Sequence, residues 1–443
     1  GQHERIDSVS VRHFQANSEQ HGLRSGGSCC STEGIINEDR DMILGCVADD
    51  FTGAADAASF LQAGGAKVIL SNGIPEGENE DIMPAQAVVI ALKTRTCPPC
   101  EAVERSLAAF SWLKAHGARM LYFKYCSTFD STEKGNIGPV LDAVLEQWNI
   151  PYTLLCPALL ENGRSVRDGK LYVNGVLLEE SSMRDHPLNP MRDSRLKRLM
   201  ERQSRYPCYN LDEGALEREF RPPGDPGHYY LIPDYYEERH GSMIADKYRN
   251  HPLLSGGSGL LKMIARTWEP EEGRKRFNPS LCSAPIILAG SCSQATREQI
   301  RYYESQGGVS YRIHPLQFVQ GIQTMDHIKA FLDDNKNQAV LVYTSAPPDE
   351  VNHIKAEWKE AFPPLGHYNE DILARTAAYA LECGRKRIIA AGGETSGAVM
   401  QKLGMHTFYI GKSIAPGVPV MYPAGQEGPE LVLKSGNVGR EDV

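Results

Sequence analysis

Residues 42–63 read MILGCVADDFTGAADAASFLQA, and this stretch indicates how the chain begins to fold. The apolar run at residues 43–47 has the length and composition of a buried strand. From Gly53 onward, small and apolar side chains recur at helical spacing, which predicts a helix with one face on a core. Asp49 and Asp50 lie between the two predicted elements, where the strand ends and the helix begins.

The same alternation of strand and helix continues along the chain and returns after residue 285. Further strands are predicted at 67–70, 87–92, 119–124, 152–156, 286–289, 339–343 and 387–390, and helices at 101–116, 137–148, 294–306, 371–383 and 396–403. A hairpin is predicted at 171–178, around Asn174-Gly175. This pattern predicts an α/β fold of two domains, each built on a largely parallel sheet with helices on both faces.

The predicted domains follow an N-terminal extension. Residues 1–41 are polar and lack an apolar period, which predicts a disordered extension. We place a substrate domain at residues 42–255 and a second domain at residues 256–443. The chain of 443 residues is long enough for two or three domains with full cores.

Composition limits the class of protein. A formal net charge of −9 argues against a general binder of nucleic acid or membrane surfaces, and the longest apolar runs are too short to cross a bilayer. The chain has eleven cysteines, an odd number, and their spacing is not that of a small disulfide-rich domain. This favours a protein that stays reduced in the cytoplasm. We therefore expect a cytoplasmic protein with small-molecule partners, and a homodimer is a further expectation.

Three segments that follow predicted strands carry candidate substrate-binding residues. Asp49 and Asp50 follow the first strand, Arg95 follows another, and KYCSTFDST at 124–132 follows a third. Ligands bind beyond the carboxyl ends of strands in an open parallel sheet, so these segments should converge. Cations beside hydroxyls suit a polyhydroxy carboxylate. Helix capping and polar turns would explain each segment alone, but their convergence favours a site.

Glycine-hydroxyl loops in the second half are candidate phosphate sites. They are SGGSG at 255–259, GSCS at 290–293, GGETSG at 392–397 and KSGN at 434–437. Glycine lets the backbone approach a ligand closely, and amides at a helix N-terminus bind phosphate. Two of these loops stand between a predicted strand and a predicted helix, which indicates a nucleotide site. The sequence contains no Walker A motif and no protein-kinase catalytic loop.

Cys97-Pro98-Pro99-Cys100 offers an alternative from another class of protein. The motif follows a predicted strand and opens a predicted helix, where the dithiol of a thiol-disulfide oxidoreductase would lie. The chain is far longer than a thioredoxin-like domain and differently patterned, so the alternative is remote. A non-catalytic sensor of sugar acids is a second alternative.

Ordered motifs along most of the chain together resemble the four-carbon acid sugar kinase family. They include ADDFTGA at 48–54, KYCSTFDST at 124–132, CPAL at 156–159, HPLNPM at 186–191, GGSGL at 256–260, LAGSCS at 288–293, AGGETSG at 391–397, IAPGVP at 414–419 and LKSGN at 433–437. Members resemble an N-terminal sugar-acid-binding domain joined to a C-terminal nucleotide-binding domain. CSTFDST and HPLNPM are most similar to the 3-oxo-tetronate kinases of the family, with D-threonate and D-erythronate kinases as alternatives.

The resemblance implies that ATP, with Mg²⁺, phosphorylates the 4-hydroxyl of a 3-oxo-tetronate. It assigns Asp49, Asp50, Arg95, Lys124, Ser127, Asp130, Ser131 and Thr132 to the sugar acid. It assigns Ser258, Ser293, Gly392, Gly393, Glu394, Thr395 and Gly436 to ATP. Asp50 or Asp130 is expected to accept the proton of the attacking hydroxyl. The resemblance assigns no protein ligands to the metal ion.

Overall fold

The computed structural model describes residues 42–75, 85–185, 190–269, 283–360, 362–425, 427–436 and 439–442. The predicted extension at residues 1–41 lies outside these ranges, as do residues 186–189 of the HPLNPM motif and Asn437 of the LKSGN motif.

The N-terminal half alternates strands and helices before a more irregular middle. Its strands are β1 (Leu44–Ala48), β2 (Val68–Asn72), β3 (Ala87–Ala91), β4 (Met120–Lys124), β5 (Tyr152–Leu154), β6 (Arg164–Arg167), β7 (Lys170–Val173), β8 (Val176–Leu177), β9 (Cys208–Leu211), β10 (Tyr229–Pro233) and β11 (Leu253–Gly256). Its helices are α1 (Phe51–Ala63), α2 (Pro99–Ala115), α3 (Ile137–Gln147), α4 (Leu196–Glu201), α5 (Glu213–Leu216), α6 (Glu238–Tyr248) and α7 (Gly259–Ala265).

The C-terminal half resumes the regular alternation. Its strands are β12 (Ile286–Ala289), β13 (Val309–Arg312), β14 (Val340–Tyr343), β15 (Arg387–Ala391), β16 (Thr407–Ala415), β17 (Val418–Pro423) and β18 (Glu430–Lys434). Its helices are α8 (Gln294–Ser305), α9 (Pro315–Val319), α10 (Met325–Asp334), α11 (Pro348–Glu357), α12 (Leu365–Glu382) and α13 (Gly393–Leu403). No described helix combines the length and apolar character needed to cross a membrane.

The two halves share one sheet. Its 12 described strands run in the order β11-β4-β1-β3-β2-β16-β17-β18-β15-β12-β14-β13. Pairing is parallel from β11 to β2 and again from β18 to β13. The β16–β17 hairpin joins these blocks through antiparallel pairs with β2 and β18. The predicted α/β class with two domains is confirmed, and the structure adds that the two parallel sheets are continuous.

Helices α1 and α2 cover opposite faces of the first parallel block. The connection from β1 to β2 crosses the sheet in one direction and that from β3 to β4 in the other, so right-handed crossovers place their helices on different faces. Gly45 in β1 lies under α2, where an added Cβ would stand 2.8 Å from the Leu113 Cβ. Glycine at this position therefore allows the helix to pack close to the strand.

Two smaller sheets, β5-β10-β9 and β6-β7-β8, accompany the large one. Asn174 and Gly175 have φ values of 51° and 82° between the paired strands β7 and β8. Positive φ at both central residues is the backbone that an Asn-Gly hairpin turn requires. The hairpin predicted at 171–178 is present.

The predicted boundary after residue 255 falls between β11 and α7. Strand β11 pairs with β4, and α7 packs against α1 and α6, so both elements pack with the N-terminal half. We therefore propose that the boundary lies between α7 and β12, rather than after residue 255.

Candidate active site

The carboxyl ends of β1, β3 and β4 bring the predicted acid-binding residues together. These strands are neighbours in the sheet and run parallel, so the residues that follow them meet at one edge. Asp49 and Asp50 follow β1, Arg95 follows β3, and Lys124 ends β4. The convergence that the sequence predicted is therefore present in the structure.

Arg95 is held by acids. Its Nε donates to Asp49 Oδ2 at 2.9 Å, and its Nη2 donates to Asp49 Oδ1 and Asp50 Oδ1 at 2.7 Å each. Its Nη1 lies 3.9 Å from Asp130 Oδ2. Burial raises the pKa of Asp49, and the Arg95 guanidinium opposes that shift. The sequence indicated a cation ready for a substrate carboxylate, whereas the structure shows one that also fixes the aspartates.

Asp50 has two roles at once. Its Oδ1 accepts the Gly53 N–H at 2.9 Å and so caps the N-terminus of α1. The same oxygen accepts from Arg95. The capping and binding interpretations of this residue are therefore compatible, and both contacts are made by Oδ1.

Lys124 lies under the first turn of α1. It is only 3% exposed, and its Nζ donates to the Tyr125 carbonyl at 2.9 Å. A Cβ on Gly53 would stand 3.2 Å from this amino group, so glycine leaves room for it beside Asp50. A buried ammonium with donors to spare is a suitable partner for an anionic ligand.

Asp56, which sequence reasoning missed, joins three elements behind this cluster. It accepts a hydrogen bond from the Ser258 hydroxyl. Gly417, at the tip of the β16–β17 hairpin, has no room for a side chain, since a Cβ would stand 2.6 Å from Asp56 Oδ1. Burial raises the pKa of Asp56, and the charge of Lys124 opposes that shift. The sequence signal that could have found Asp56 was an acidic residue within an otherwise apolar helix.

The loop after β4 turns sharply to present Asp130. Phe129 has a left-handed φ of 59° and is fully buried, and its N–H donates to the Cys126 carbonyl at 2.9 Å. Its ring packs edge-on against Tyr125, with centroids 5.5 Å apart. Such a backbone costs about 1–3 kcal/mol, and this packing holds it in place. The turn directs Asp130 toward Arg95.

Ser131 and Thr132 hold the shape of the same loop. The Ser131 hydroxyl donates to Gln203 Oε1 at 3.2 Å, and Gln203 Nε2 donates to the Thr132 carbonyl at 3.0 Å. Ser131 is buried, so its hydroxyl supports the loop in this structure. Ser127 is half-buried and lies beside Gly257, where an added Cβ would stand 3.5 Å from the Ser127 Cβ.

A second site lies in the C-terminal half, in a cavity of about 340 Å³. Four of the predicted ATP-binding residues line it, namely Gly392, Gly393, Glu394 and Thr395. Gly290, Ser291 and Cys292 of the GSCS loop line the same end. Ser258 is not part of this lining, because it is buried beside Asp56.

The N-terminus of α13 opens into the cavity. Gly392 precedes the helix with a φ of 130°, which side chains rarely allow, and no side chain caps the helix. The first amides of a helix lack intrahelical partners and favour anions. This end of the cavity can therefore hold phosphate groups.

Ser293 and Gly436, two more of the predicted ATP-binding residues, contact each other next to the GSCS loop and are not part of the cavity lining. The Ser293 hydroxyl donates to the Gly436 carbonyl at 2.5 Å, and the hydroxyl of Thr296 donates to the same oxygen at 2.9 Å. An added Cβ on Gly436 would stand 2.0 Å from Ser291 Oγ. These contacts therefore hold the GSCS loop at 290–293 against the residues that follow β18.

The two sites meet at Thr52 and Gly393. A Cβ on Gly393 would stand 3.4 Å from Thr52 Oγ1, and one on Gly397 would stand 3.8 Å from Lys93 Nζ. The first turn of α1 thus faces the first turn of α13, across the junction of the two halves. Sequence reasoning missed Thr52 and Lys93, although they lie two positions from the predicted residues Asp50 and Arg95.

The Cys97–Cys100 motif lies at the start of α2, but the contacts of Cys97 do not favour a redox centre. No disulfide joins any of the described cysteines, and Cys97 Sγ donates to the Thr94 carbonyl at 3.4 Å. Partial burial and the charge of Glu101 raise the pKa of the Cys97 thiol, whereas a reactive dithiol needs a lowered one. The part of the chain that the structure describes also contains no cluster of three metal-ligating side chains.

Comparison with known proteins assigns the two halves. A model described as a sugar-binding N-terminal domain matches residues 44–264, and one described as a nucleotide-binding C-terminal domain matches residues 286–443. A 3-oxo-tetronate kinase of Cupriavidus necator is 40% identical over 413 residues, which are 90% of this chain and 95% of that protein. The chain belongs to the four-carbon acid sugar kinase family. Another 3-oxo-tetronate kinase, from Haemophilus influenzae, is 39% identical over 90% of this chain and 98% of its own length.

Two solved structures share the fold of this family member. One, from Salmonella typhimurium LT2, is 38% identical with a TM-score of 0.80, covering 90% of this chain and 97% of that one. The other, from Haemophilus influenzae, is 37% identical with a TM-score of 0.75 and the same coverage. The acid-lined cluster thus lies in the sugar-binding half of a kinase-family chain, and the cavity lies in its nucleotide-binding half.

Proposed function

We propose that the protein is an ATP-dependent kinase that phosphorylates the 4-hydroxyl of a four-carbon sugar acid, with 3-oxo-tetronate as its substrate. Relatives named 3-oxo-tetronate kinase match 90% of the chain. The observation that carries the proposal is the junction at Thr52 and Gly393, where a cluster of acids and cations meets an open helix N-terminus. A phosphoryl donor and a hydroxyl acceptor need this proximity.

The sugar acid lies, in this proposal, against the ends of β1, β3 and β4. Lys124 and the outer face of Arg95 pair with its carboxylate, and Asp49, Asp130 and the hydroxyls of the 127–132 loop bind its oxygens. Asp49 is buried and Arg95 is its counter-charge, so the two side chains stay paired and the cluster is preorganised. Ser131 and Thr132 act by holding the loop.

ATP occupies the cavity of the C-terminal half, with its phosphates on the amides of Gly393, Glu394 and Thr395. Ser293 and Gly436 support the adjoining loop. Ser258 then lies on the sugar-acid side of the junction, where its hydroxyl donates a hydrogen bond to Asp56. Mg²⁺ would be held by Glu370 and Glu394, two carboxylates that line the cavity, and would neutralise the charge of the phosphates.

In the transfer step, the bond between the γ-phosphorus and the ADP oxygen breaks and a bond to the C4 oxygen forms. The hydroxyl proton passes to a carboxylate. We favour Asp50 over Asp130, because its side chain is 30% exposed and its Arg95 and Gly53 contacts both end on Oδ1. Asp50→Asn should lower kcat far more than Asp130→Asn, and the reverse order would make Asp130 the base.

The alternatives make different predictions for one assay. D-threonate or D-erythronate kinase activity would appear as a different preferred acid in an ATP-coupled screen, and a sensor would bind acids without releasing ADP. An oxidoreductase would lose its activity in a Cys97→Ser, Cys100→Ser double variant. We expect that variant to keep kinase activity within about twofold of the wild type, because the raised pKa of the Cys97 thiol disfavours the thiolate and neither cysteine lines the cavity.

The proposal also covers the oligomeric state of the protein and its location in the cell. We propose a homodimer, to be tested by light scattering of the purified protein. We also propose the cytoplasm as the location, because the described cysteines are free thiols.

A further inference from the structure

Two polar atoms in the nucleotide cavity are buried and lack a hydrogen-bond partner among the described residues. They are Asn369 Oδ1 and Thr344 Oγ1, and both residues line the cavity. Buried polar atoms are nearly always paired, because leaving one unpaired costs about 1–3 kcal/mol. Their position in a cavity indicates that groups of a ligand supply the missing partners.

The two atoms belong to different elements of the cavity wall. Thr344 follows β14, and its N–H donates to the Ala289 carbonyl at 2.9 Å. This contact places Thr344 beside the GSCS loop at 290–293. Asn369 lies on α12, one turn before Leu373. Leu373 is itself at the phosphate end, where an added Cβ on Gly290 would stand 3.1 Å from its Cδ1. A helix rises 1.5 Å per residue, so Asn369 lies about 6 Å from Leu373 along the axis of α12.

Apolar side chains form part of the cavity wall. Leu365, one turn earlier on α12, lines the cavity together with Val351 and Ile354 of α11. Flat aromatic ligands fit between such side chains, whereas phosphates do not. The cavity therefore combines the amides at the N-terminus of α13, apolar side chains and one unpaired carboxamide oxygen, and its charged lining residues are Lys355, Glu370 and Glu394.

We propose that Asn369 recognises the adenine base of ATP, with its Oδ1 accepting a hydrogen bond from the 6-amino group. The inference rests on the proposed nucleotide site. A carboxamide is matched to adenine, whose edge presents an amino donor beside a ring-nitrogen acceptor. A site built to pair with an amino group also discriminates against an analogue that lacks it, because the protein acceptor is then left unpaired.

The test compares ATP with purine riboside 5′-triphosphate, which lacks only the 6-amino group. Their affinities are measured by calorimetry without sugar acid, for the wild type and for Asn369→Leu, Asn369→Asp and Asn352→Leu. We expect the wild type to bind ATP at least tenfold more tightly than the analogue. Asn369→Leu should reduce that ratio to less than about twofold by weakening ATP alone, while Asn369→Asp, which keeps an acceptor, should retain a preference for ATP.

Asn352→Leu is the matched control, because Asn352 is exposed on α11 and is not part of the cavity lining. It should leave both affinities unchanged. Equal affinity of the wild type for the two nucleotides would overturn the inference. So would an equal loss of both in Asn369→Leu, since the residue would then contact the ribose or support the fold. A preference for ATP in a protein that phosphorylates no sugar acid would sustain the inference and refute the proposed function.

Discussion

Arg95 is the charge on which the acid side of the site depends. Arg95→Ala removes a partner of the carboxylate and also leaves Asp49, whose side chain is 7% exposed, without its counter-charge. We expect kcat/KM for the sugar acid to fall by about 10- to 100-fold and the free energy of unfolding to fall by roughly 3 kcal/mol. Steady-state kinetics with each substrate varied separately, together with urea unfolding, measure both effects.

Arg221→Ala is the matched control for that experiment. Arg221 is exposed and pairs with the exposed Glu219 in the loop after α5, so its removal should change both quantities little. A silent Arg95→Ala variant, or one impaired only in ATP binding, would move the acid away from β1, β3 and β4.

Lys124 offers a second test of the acid site at this scale. Lys124→Met keeps the length of the buried side chain but removes the ammonium that lies beside Asp50. The KM for the acid should rise by at least tenfold, while ATP affinity measured by calorimetry stays within about twofold. A change in ATP affinity alone would assign Lys124 to the nucleotide.

Lys434 makes stability depend on pH. Burial lowers its pKa from 10.5 to about 8, so between those values the unfolded chain binds more protons than the folded one. The free energy of unfolding should then rise with pH across that window, by at most about 3 kcal/mol. Urea unfolding at pH 7.5 and 9.5 should show the wild type gaining stability relative to Lys434→Met. Parallel pH profiles of the two proteins would contradict this.

At the residue scale, the sequence predicted where the acid-binding residues lie but not which of them pair with one another. Asp49, Arg95 and Lys124 each follow a strand, which is enough to predict that they converge. The Asp49–Arg95 ion pair depends on β1 lying beside β3, an order that the sequence does not reveal. Asn369 carried no signal, because an isolated asparagine in a polar stretch resembles a surface residue.

The N-terminus of α13 is the element that binds phosphate in this account. Gly393→Val puts a branched side chain where the first amides face the cavity, so ATP affinity should fall at least tenfold while sugar-acid binding persists. Gly397→Val, one turn later, carries a similar cost in helix propensity without covering those amides. Calorimetry that finds the two variants equal in ATP affinity would remove this helix from the nucleotide site.

The first turns of two helices escaped prediction for a common reason. The helix predicted at 396–403 begins at Gly393, and the one predicted at 371–383 begins at Leu365. Glycine is the least favourable helix residue after proline, and residues 365–370 have no clear apolar period. Those turns line the cavity, so local propensity was weakest where the chain is used for binding.

At the scale of the whole molecule, one sheet carries both sites. The pairing of β2 with β16 brings residues 69–71 against residues 407–409, and the β16–β17 hairpin reaches Asp56 at its tip. A contact between segments so distant in sequence has no local signal, which is why two separate sheets were predicted. Because the sheet is continuous, the acid cluster lies directly across the junction from the phosphate end of the cavity.

The most direct test of the central claim is ADP release on a panel of acceptors, namely 3-oxo-tetronate, D-threonate, D-erythronate and the neutral tetritol erythritol. We predict that 3-oxo-tetronate has the highest kcat/KM, that ³¹P NMR shows its product to be a 4-phosphate, and that erythritol is used at least a hundredfold less well, since it has no carboxylate for Lys124 and Arg95. ADP release with none of the three acids, or equal use of erythritol, would contradict the account.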